Sequence, residues 1–298
     1  MKPPANRSCA TCLLLGLLVS TRALAWGDAG HQVIGLVAEH YMKPSVRNQV
    51  HALLASDTTQ LTRSTGIADE ASWADKFRDS DRNTTKVRYE LTEHWHFANI
   101  ERDGSVDLDA ACIGHPAPAP KASEGPAQSC VVDRVNAFAA EVRNPATDTD
   151  ERRLALQFLL HFMGDLHQPL HVSDDHDHGG NEKIVKADGV DSGSLHHYWD
   201  TEFVKKLGNN ASTIAKNLIK TTTPAQIKAW QEGSPATWAV QGFNLSTLRV
   251  FGGLGSPGTD GHYTLTADYV SKANAAVARQ LARAGVRLAY VLNDSLGP

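Results

Sequence analysis

Between Leu154 and Asp200 the chain reads LALQFLLHFMGDLHQPLHVSDDHDHGGNEKIVKADGVDSGSLHHYWD, and seven of its fourteen histidines lie between His161 and His197. Two His/Asp pairs, His161 with Asp165 and His196 with Asp200, have i,i+4 spacing. On a helix this spacing puts both side chains on one face, one turn apart. An imidazole nitrogen and a carboxylate oxygen so placed can close on one metal ion. Pro169 ends the first helix and delivers His171 just beyond it. A single such pair is most often a surface ion pair. Two pairs within forty residues, one inside the apolar run Leu156–Met163, are a different case. A buried carboxylate beside a buried imidazole needs a partner, and a cation is the simplest one.

The first 25 residues read as an export signal. Lys2 and Arg7 precede the apolar run CLLLGLLV at Cys12–Val19, which is too short to span a bilayer, and Ala23-Leu24-Ala25 is a small-x-small cleavage site. A lipoprotein anchor is the alternative, but neither Cys9 nor Cys12 follows the apolar run. The mature chain would begin at Trp26, with 273 residues in one domain, residues 26–298, and its formal charge would move from −4 to −7. Such an acidic chain repels nucleic acid unless bound divalent ions cancel the charge at the site. Two cysteines remain, Cys112 and Cys130, and in an oxidising compartment they are expected to pair. The Pro-, Ala- and Ser-rich segment they bound reads as a pinned surface excursion.

Apolar periodicity predicts helices almost throughout: Asp28–Met42, Lys43–Ala55, Cys130–Arg143, a long helix N-capped by Asp150 and reaching His167, and Leu195–Leu207 closed by Gly208. Shorter helices follow at Ala211–Lys220, Pro224–Gln231 and Pro235–Val250, then a core helix Ala267–Leu292. Only Glu182–Val190 suggests a hairpin. The expected fold is all-α.

More potential ligands lie upstream in Trp26-Gly27-Asp28-Ala29-Gly30-His31, in Ser72-Trp73-Ala74-Asp75-Lys76-Phe77-Arg78, and in His94-Trp95-His96-Phe97. Each alone is equally well a surface histidine, an i,i+3 salt bridge or core packing. Taken in order with LLHFMGDLHQPLH, GGN at Gly179–Asn181 and LHxxWDT at Leu195–Thr201, they form a specific pattern. It resembles the zinc-dependent, single-strand-preferring type I nuclease family, whose helical fold is shared with bacterial zinc phospholipases C.

The resemblance implies three zinc ions. Trp26 (through its free amine and carbonyl), His31 and Asp165 would hold one. Asp75, His96, His161 and the bridging Asp165 would hold the second, and His171, His196 and Asp200 the third. An α-amine releases its proton readily, with a pKa near ~7.7, so signal cleavage would complete the site. The implied reaction is metal-assisted hydrolysis of single-stranded DNA and RNA to 5′-phosphate products, with 3′-nucleotidase activity on nucleotides. Asp75 would ligate zinc and orient the nucleophile, while Arg78 would neutralise charge growing on the phosphoryl oxygens. Phe97 would stack on an unpaired base and Asn99 would read its edge. The family often carries an acid where Asn99 sits; an amide both donates and accepts, which broadens base preference.

His94, His167 and His197 neighbour the ligands and are expected to orient them. The loop Asp174-Asp175-His176-Asp177-His178 reads as a solvated rim of the cleft. Two rival readings remain: a zinc phospholipase C with the same cradle, and a periplasmic zinc-binding protein using that loop. The nuclease reading carries further expectations: an exported monomer, no protein partner and no stable membrane association.

Overall fold

The computed structural model describes residues 26–297, and the expected signal segment with its cleavage site lies outside them. The architecture is all-α, with one small sheet. Helix Thr149–Asp165 is its axis. From Ala155 to Asp165 every side chain is buried, the pattern of a helix enclosed on all sides. Around it pack Gly27–Tyr41, Pro44–Leu54, Trp73–Asp79, Val131–Arg143 and the 30-residue helix Ala267–Leu296. In this last helix Val277, Leu281 and Leu288 are fully buried, as the periodicity requires, whereas Val270 is only half-buried.

The axial helix starts and stops differently from expectation. Asp148, not Asp150, caps it, its side chain accepting the Glu151 amide at 3.0 Å. Asp150 instead faces Arg153 at 3.4 Å. The helix ends at Asp165, before His167, because Gln168 must adopt extended geometry ahead of Pro169. Pro169 then heads its own 3₁₀ turn, Pro169–His171.

Two expected helices contain a widened π-type turn. Leu195–His197 passes into such a turn at Tyr198–Glu202 before Phe203–Lys205. Pro235–Leu245 gives way to another at Ser246–Phe251, where the Gly252 amide reaches back to the Thr247 carbonyl at 3.0 Å. Gly208 does not take the left-handed conformation expected of a helix-ending glycine. The hairpin forms slightly later than expected, as Ile184–Ala187 against Val190–Ser194, and Tyr263–Thr264 joins it in parallel.

Behind the axial helix, an aromatic cluster fixes one wall of the future site. Phe158 stacks on Phe138 (4.8 Å) and meets Trp95 and Trp73 edge-on (5.4 and 5.3 Å). Phe162 presents its edge to the His96 ring at 4.9 Å. Such contacts contribute about 0.5–1.5 kcal/mol each beyond area burial and hold ring orientations closely. The Cys112–Cys130 disulfide is formed, with Cα atoms 4.9 Å apart. Arg134 ties down its loop by donating to the Ala122 and Gly125 carbonyls, both at 2.9 Å.

Candidate metal centre

The end of the axial helix carries His161 and Asp165 into a buried chamber. Helix Gly27–Tyr41 brings His31, helix Trp73–Asp79 brings Asp75, and the 3₁₀ turn Glu93–His96 brings His96. Asp165 is the common member. Its Oδ1 lies 3.4 Å from His31 Nε2, and its Oδ2 lies 2.9 Å from His96 Nδ1 and 3.4 Å from His161 Nε2. Asp75 Oδ1 is 3.5 Å from His161 Nε2 and 3.6 Å from His96 Nδ1. The His31 and His161 rings stack at 3.8 Å. Trp26 is fully buried beside them, its indole donating to the Gly164 carbonyl at 2.8 Å.

A second set follows the turn at Pro169. His171 Nε2 and His196 Nε2 face each other at 3.1 Å, and His196 Nε2 is 3.2 Å from Asp200 Oδ2. Asp200 lies within the widened turn Tyr198–Glu202, and π-type turns of this kind recur at functional sites.

Backbone carbonyls set the direction of these rings. A carbonyl only accepts, so the ring nitrogen it meets must carry the proton. His161 Nδ1 donates to the Ala71 carbonyl (2.9 Å), His171 Nδ1 to that of His96 (2.8 Å), and His196 Nδ1 to that of Gly179 (2.7 Å). In the neutral rings each Nε2 lone pair therefore points inward. Between His171 and His196 two acceptors confront each other, an arrangement that a shared cation satisfies. His31 Nε2, His161 Nε2, Asp165 Oδ1 and Asp200 Oδ2 are likewise buried without a hydrogen-bond partner, costly unless they coordinate. Imidazole nitrogens and carboxylate oxygens converging in this way fit zinc.

The electrostatics agree. Burial opposes ionisation of Asp75, but the Arg78 guanidinium together with His161 and His96 outweighs it and holds the carboxyl well below its ordinary range. Burial likewise opposes ionisation of Asp165, and its histidine neighbours, His161 foremost, more than reverse that. Burial pushes His171 down, and burial together with Arg78 lowers His96 to about 4. Ionised carboxylates and neutral imidazoles are the metal-binding forms. His161 and His196 are raised despite burial, because Asp165 with Asp75 around the first, and Asp200 with the Gly179 carbonyl and Asp165 around the second, together outweigh it.

Above the chamber opens a cleft of about 1200 Å³, lined by Arg78, His96, Phe97, Asn99, His171 and His196 among others. Arg78 is held by Asp75 (2.8 Å) and doubly by Asp79 (2.9 and 3.1 Å). Burial works against its charge but Asp75 raises its pKa, so it stays cationic. Phe97 is half-buried and Asn99 exposed, alternating with buried Ala98 and Ile100. Ala98 and Asp174 donate their amides to the carbonyls of His171 (2.8 Å) and Ile100 (2.9 Å), fastening this segment to the metal-ligand turn.

Other expectations need correction. His167 is buried but donates from Nδ1 to the Met163 carbonyl and accepts from Arg287 at Nε2, so it holds helices together and orients no ligand. His197 faces Glu202, and His94 is exposed beside Phe97. The aspartate-rich loop is not simply a solvated rim. Asp174 is buried and its Oδ1 accepts the amides of Asp175, Asp177 and Gly179, while Asp177 holds Lys183 at 2.6 Å. Only His176 and His178 of that histidine-bearing stretch are exposed.

Sequence reasoning missed three residues. Gln168 donates to Asp200 Oδ1 at 2.5 Å while its own oxygen accepts the Leu170 amide; a polar residue inside a buried ligand motif was the available signal. Asp79 clamps Arg78. Gly164 leaves room for His31, since a Cβ there would lie 2.7 Å from its Nδ1. Gly164→Ala is therefore expected to displace His31 and lower zinc occupancy and activity about 10–100-fold, the scale for a lost ligand-orienting contact. Titration with zinc against a competing chelator measures it, and an unchanged affinity would rule this role out.

A family model for S1/P1 nucleases matches residues 26–297. The chain belongs to the S1/P1 nuclease family. It is a hydrolase of nucleic acids, in a family that depends on zinc. Nuclease S1 of Aspergillus oryzae is 27% identical, covering 94% of this chain and 96% of its own. Nuclease PA3 of a Penicillium species is 29% identical over 74% of each chain, and Endonuclease 2 of Arabidopsis thaliana 28% identical over 91% of each. Among solved structures, the α toxin from Clostridium absonum aligns with a TM-score of 0.42 at 16% identity, covering 91% of this chain and 66% of that one.

Proposed function

We propose that this S1/P1 nuclease is exported, begins at Trp26 once its leader is removed, and hydrolyses single-stranded DNA and RNA to 5′-phosphate products, with 3′-nucleotidase activity as well. The observation that carries this reading is the convergence of two buried donor sets beneath one cleft that also presents Arg78 and Phe97. Trp26, His31 and Asp165 would hold one zinc ion, Asp75, His96, His161 and Asp165 a second, and His171, His196 and Asp200 a third. Zinc bound there supplies Lewis acidity toward the phosphoryl group and a nucleophile from water at neutral pH.

The chain's own groups do the rest. Arg78, kept cationic by Asp75 and Asp79, lies where negative charge grows on the phosphoryl oxygens, and its clamped geometry needs no reorganisation during reaction. Asp75 stays ionised and orients the attacking group. Phe97 stacks on a base, which requires an unpaired strand and tolerates every base. Asn99 offers both donor and acceptor to the base edge.

The test compares single-stranded DNA, RNA and phosphatidylcholine as substrates for protein beginning at Trp26, before and after chelation and with zinc restored. Nucleic-acid cleavage to 5′-nucleotides, lost to the chelator and recovered with zinc, is expected. Lipid cleavage alone would move the chain to a phospholipase, and tight zinc with no hydrolysis would leave a binding protein.

A further inference from the structure

Six residues other than glycine have left-handed backbones among the described residues: Gln60, Lys86, Ile113, His115, His176 and His178. Ile113 is the β-branched one, with φ +49°, and β-branched side chains in this region are genuine outliers. Its surroundings make the outlier sharper. The short helix Leu108–Ala111 ends with the Ile113 amide donating to Ala110 and the Gly114 amide to Asp109, at 3.3 and 2.7 Å. These two bonds define a Schellman closure in which the left-handed position is ordinarily glycine. Here the glycine comes one residue later, at Gly114, and isoleucine occupies the strained place.

The strain is held in place from both sides. Cys112 is bonded to Cys130, and His115 reaches Asp133 at 2.8 Å and Asp109 at 2.9 Å. Although the segment between the cysteines reads in sequence as a mere surface excursion, Ile113 lines the cleft above the metal centre and is 59% exposed. The other large exposed apolar residues, Val87, Val106, Leu248 and Tyr290, do not line it. The wall is also continuous with the aromatic one: the Val131 amide donates to the Phe97 carbonyl at 3.1 Å, one residue from Cys130. Phe97 and Ile113 thus hang from one disulfide-tied strut. A strained, over-determined, solvent-facing apolar side chain in a cleft is the pattern expected of a ligand contact.

We infer that Ile113 is a substrate-binding residue, offering an apolar face to a nucleobase of the single strand alongside Phe97. The inference rests on the nuclease reading of the same cleft. Because the contact is made equally in ground and transition states, it acts on KM rather than kcat.

The test uses the zinc-loaded enzyme and Ile113→Gly. Glycine suits the left-handed position, so Tm should stay level or rise. KM for a single-stranded oligonucleotide should nevertheless rise about five-fold, the scale of one lost base contact, with kcat little changed. Ile113→Phe, which restores an apolar face, should return KM toward the parent value. A purely structural role predicts KM following Tm and is excluded by their divergence. An unchanged KM in Ile113→Gly overturns the inference while leaving the nuclease reading intact. Failure of the unmodified enzyme to cleave any nucleic acid overturns that reading itself.

Discussion

Replacing Asp165 with asparagine is expected to cost more than about 10³-fold in hydrolysis of single-stranded DNA, beyond the ~10²–10³ typical of one lost electrostatic contact. Asp165 is the carboxylate on which His31, His96 and His161 converge, within 3.4, 2.9 and 3.4 Å. Asparagine preserves its shape but removes the charge, and replaces one acceptor oxygen by a donor aimed at lone pairs. The loss should therefore appear first as missing metal. Zinc per chain, measured by atomic emission after dialysis, is expected to fall with the initial rate. An Asp165→Asn protein that kept its full metal and cleaved within about ten-fold of the parent, against the ~10²–10³ scale of even one such contact, would remove the residue from the centre.

Arg78→Ala makes the complementary prediction. Its turnover is expected to drop on the order of 10²–10³-fold with zinc content unchanged. The sign of the metal effect follows from the ion pairs. Arg78 neutralises Asp75 at 2.8 Å, so its removal leaves the carboxylate more available to a cation, not less. Asp79, which grips the rest of the guanidinium, is released at the same time and adds to the local negative charge. Arg78→Lys should recover only part of the rate, because an ammonium cannot present the planar fork that spans two oxygens. A variant that arrived metal-free would show instead that Arg78 serves to assemble the chamber.

The donors of this chamber were legible in the sequence because their chemistry restricts residue type and spacing together. His161 with Asp165 and His196 with Asp200 had to share a helical face, and the structure brings both pairs within 3.4 Å. The all-α architecture followed from apolar periodicity for a similar reason. What orients the donors was much less visible. The Ala71, His96 and Gly179 carbonyls that set the imidazole tautomers leave no mark in the identity of their residues, since every residue carries a carbonyl. Gly164 and Gln168 act through clearances and bonds that depend on elements distant in sequence. The cap falls at Asp148 rather than the expected Asp150, because the two aspartates are chemically alike and only the path of the chain into the helix decides which of them meets the free amides. The widened turn at Tyr198–Glu202 was hidden because a π-type insertion preserves helical composition while changing the register. The aspartate-rich loop looked solvated because polarity alone does not tell an aspartate that faces water from one, like Asp174, that gathers three amides.

The segment that carries Phe97 and Asn99 is hydrogen-bonded at alternate residues, His96, Ala98, Ile100 and Arg102, to the turn and loop that carry His171 and Asp174. For anyone redesigning base preference, that sets a practical boundary. Side chains at 97 and 99 can be exchanged freely as far as the backbone is concerned, because the zipper runs through amides and carbonyls. A one-residue insertion or deletion between His96 and Arg102 cannot be absorbed locally. It would slip the register against the neighbouring turn and drag His171 with it, so length variation here disturbs the buried donor set and the proposed base contacts at once. Libraries built on this scaffold should diversify identity at these positions and hold loop length fixed.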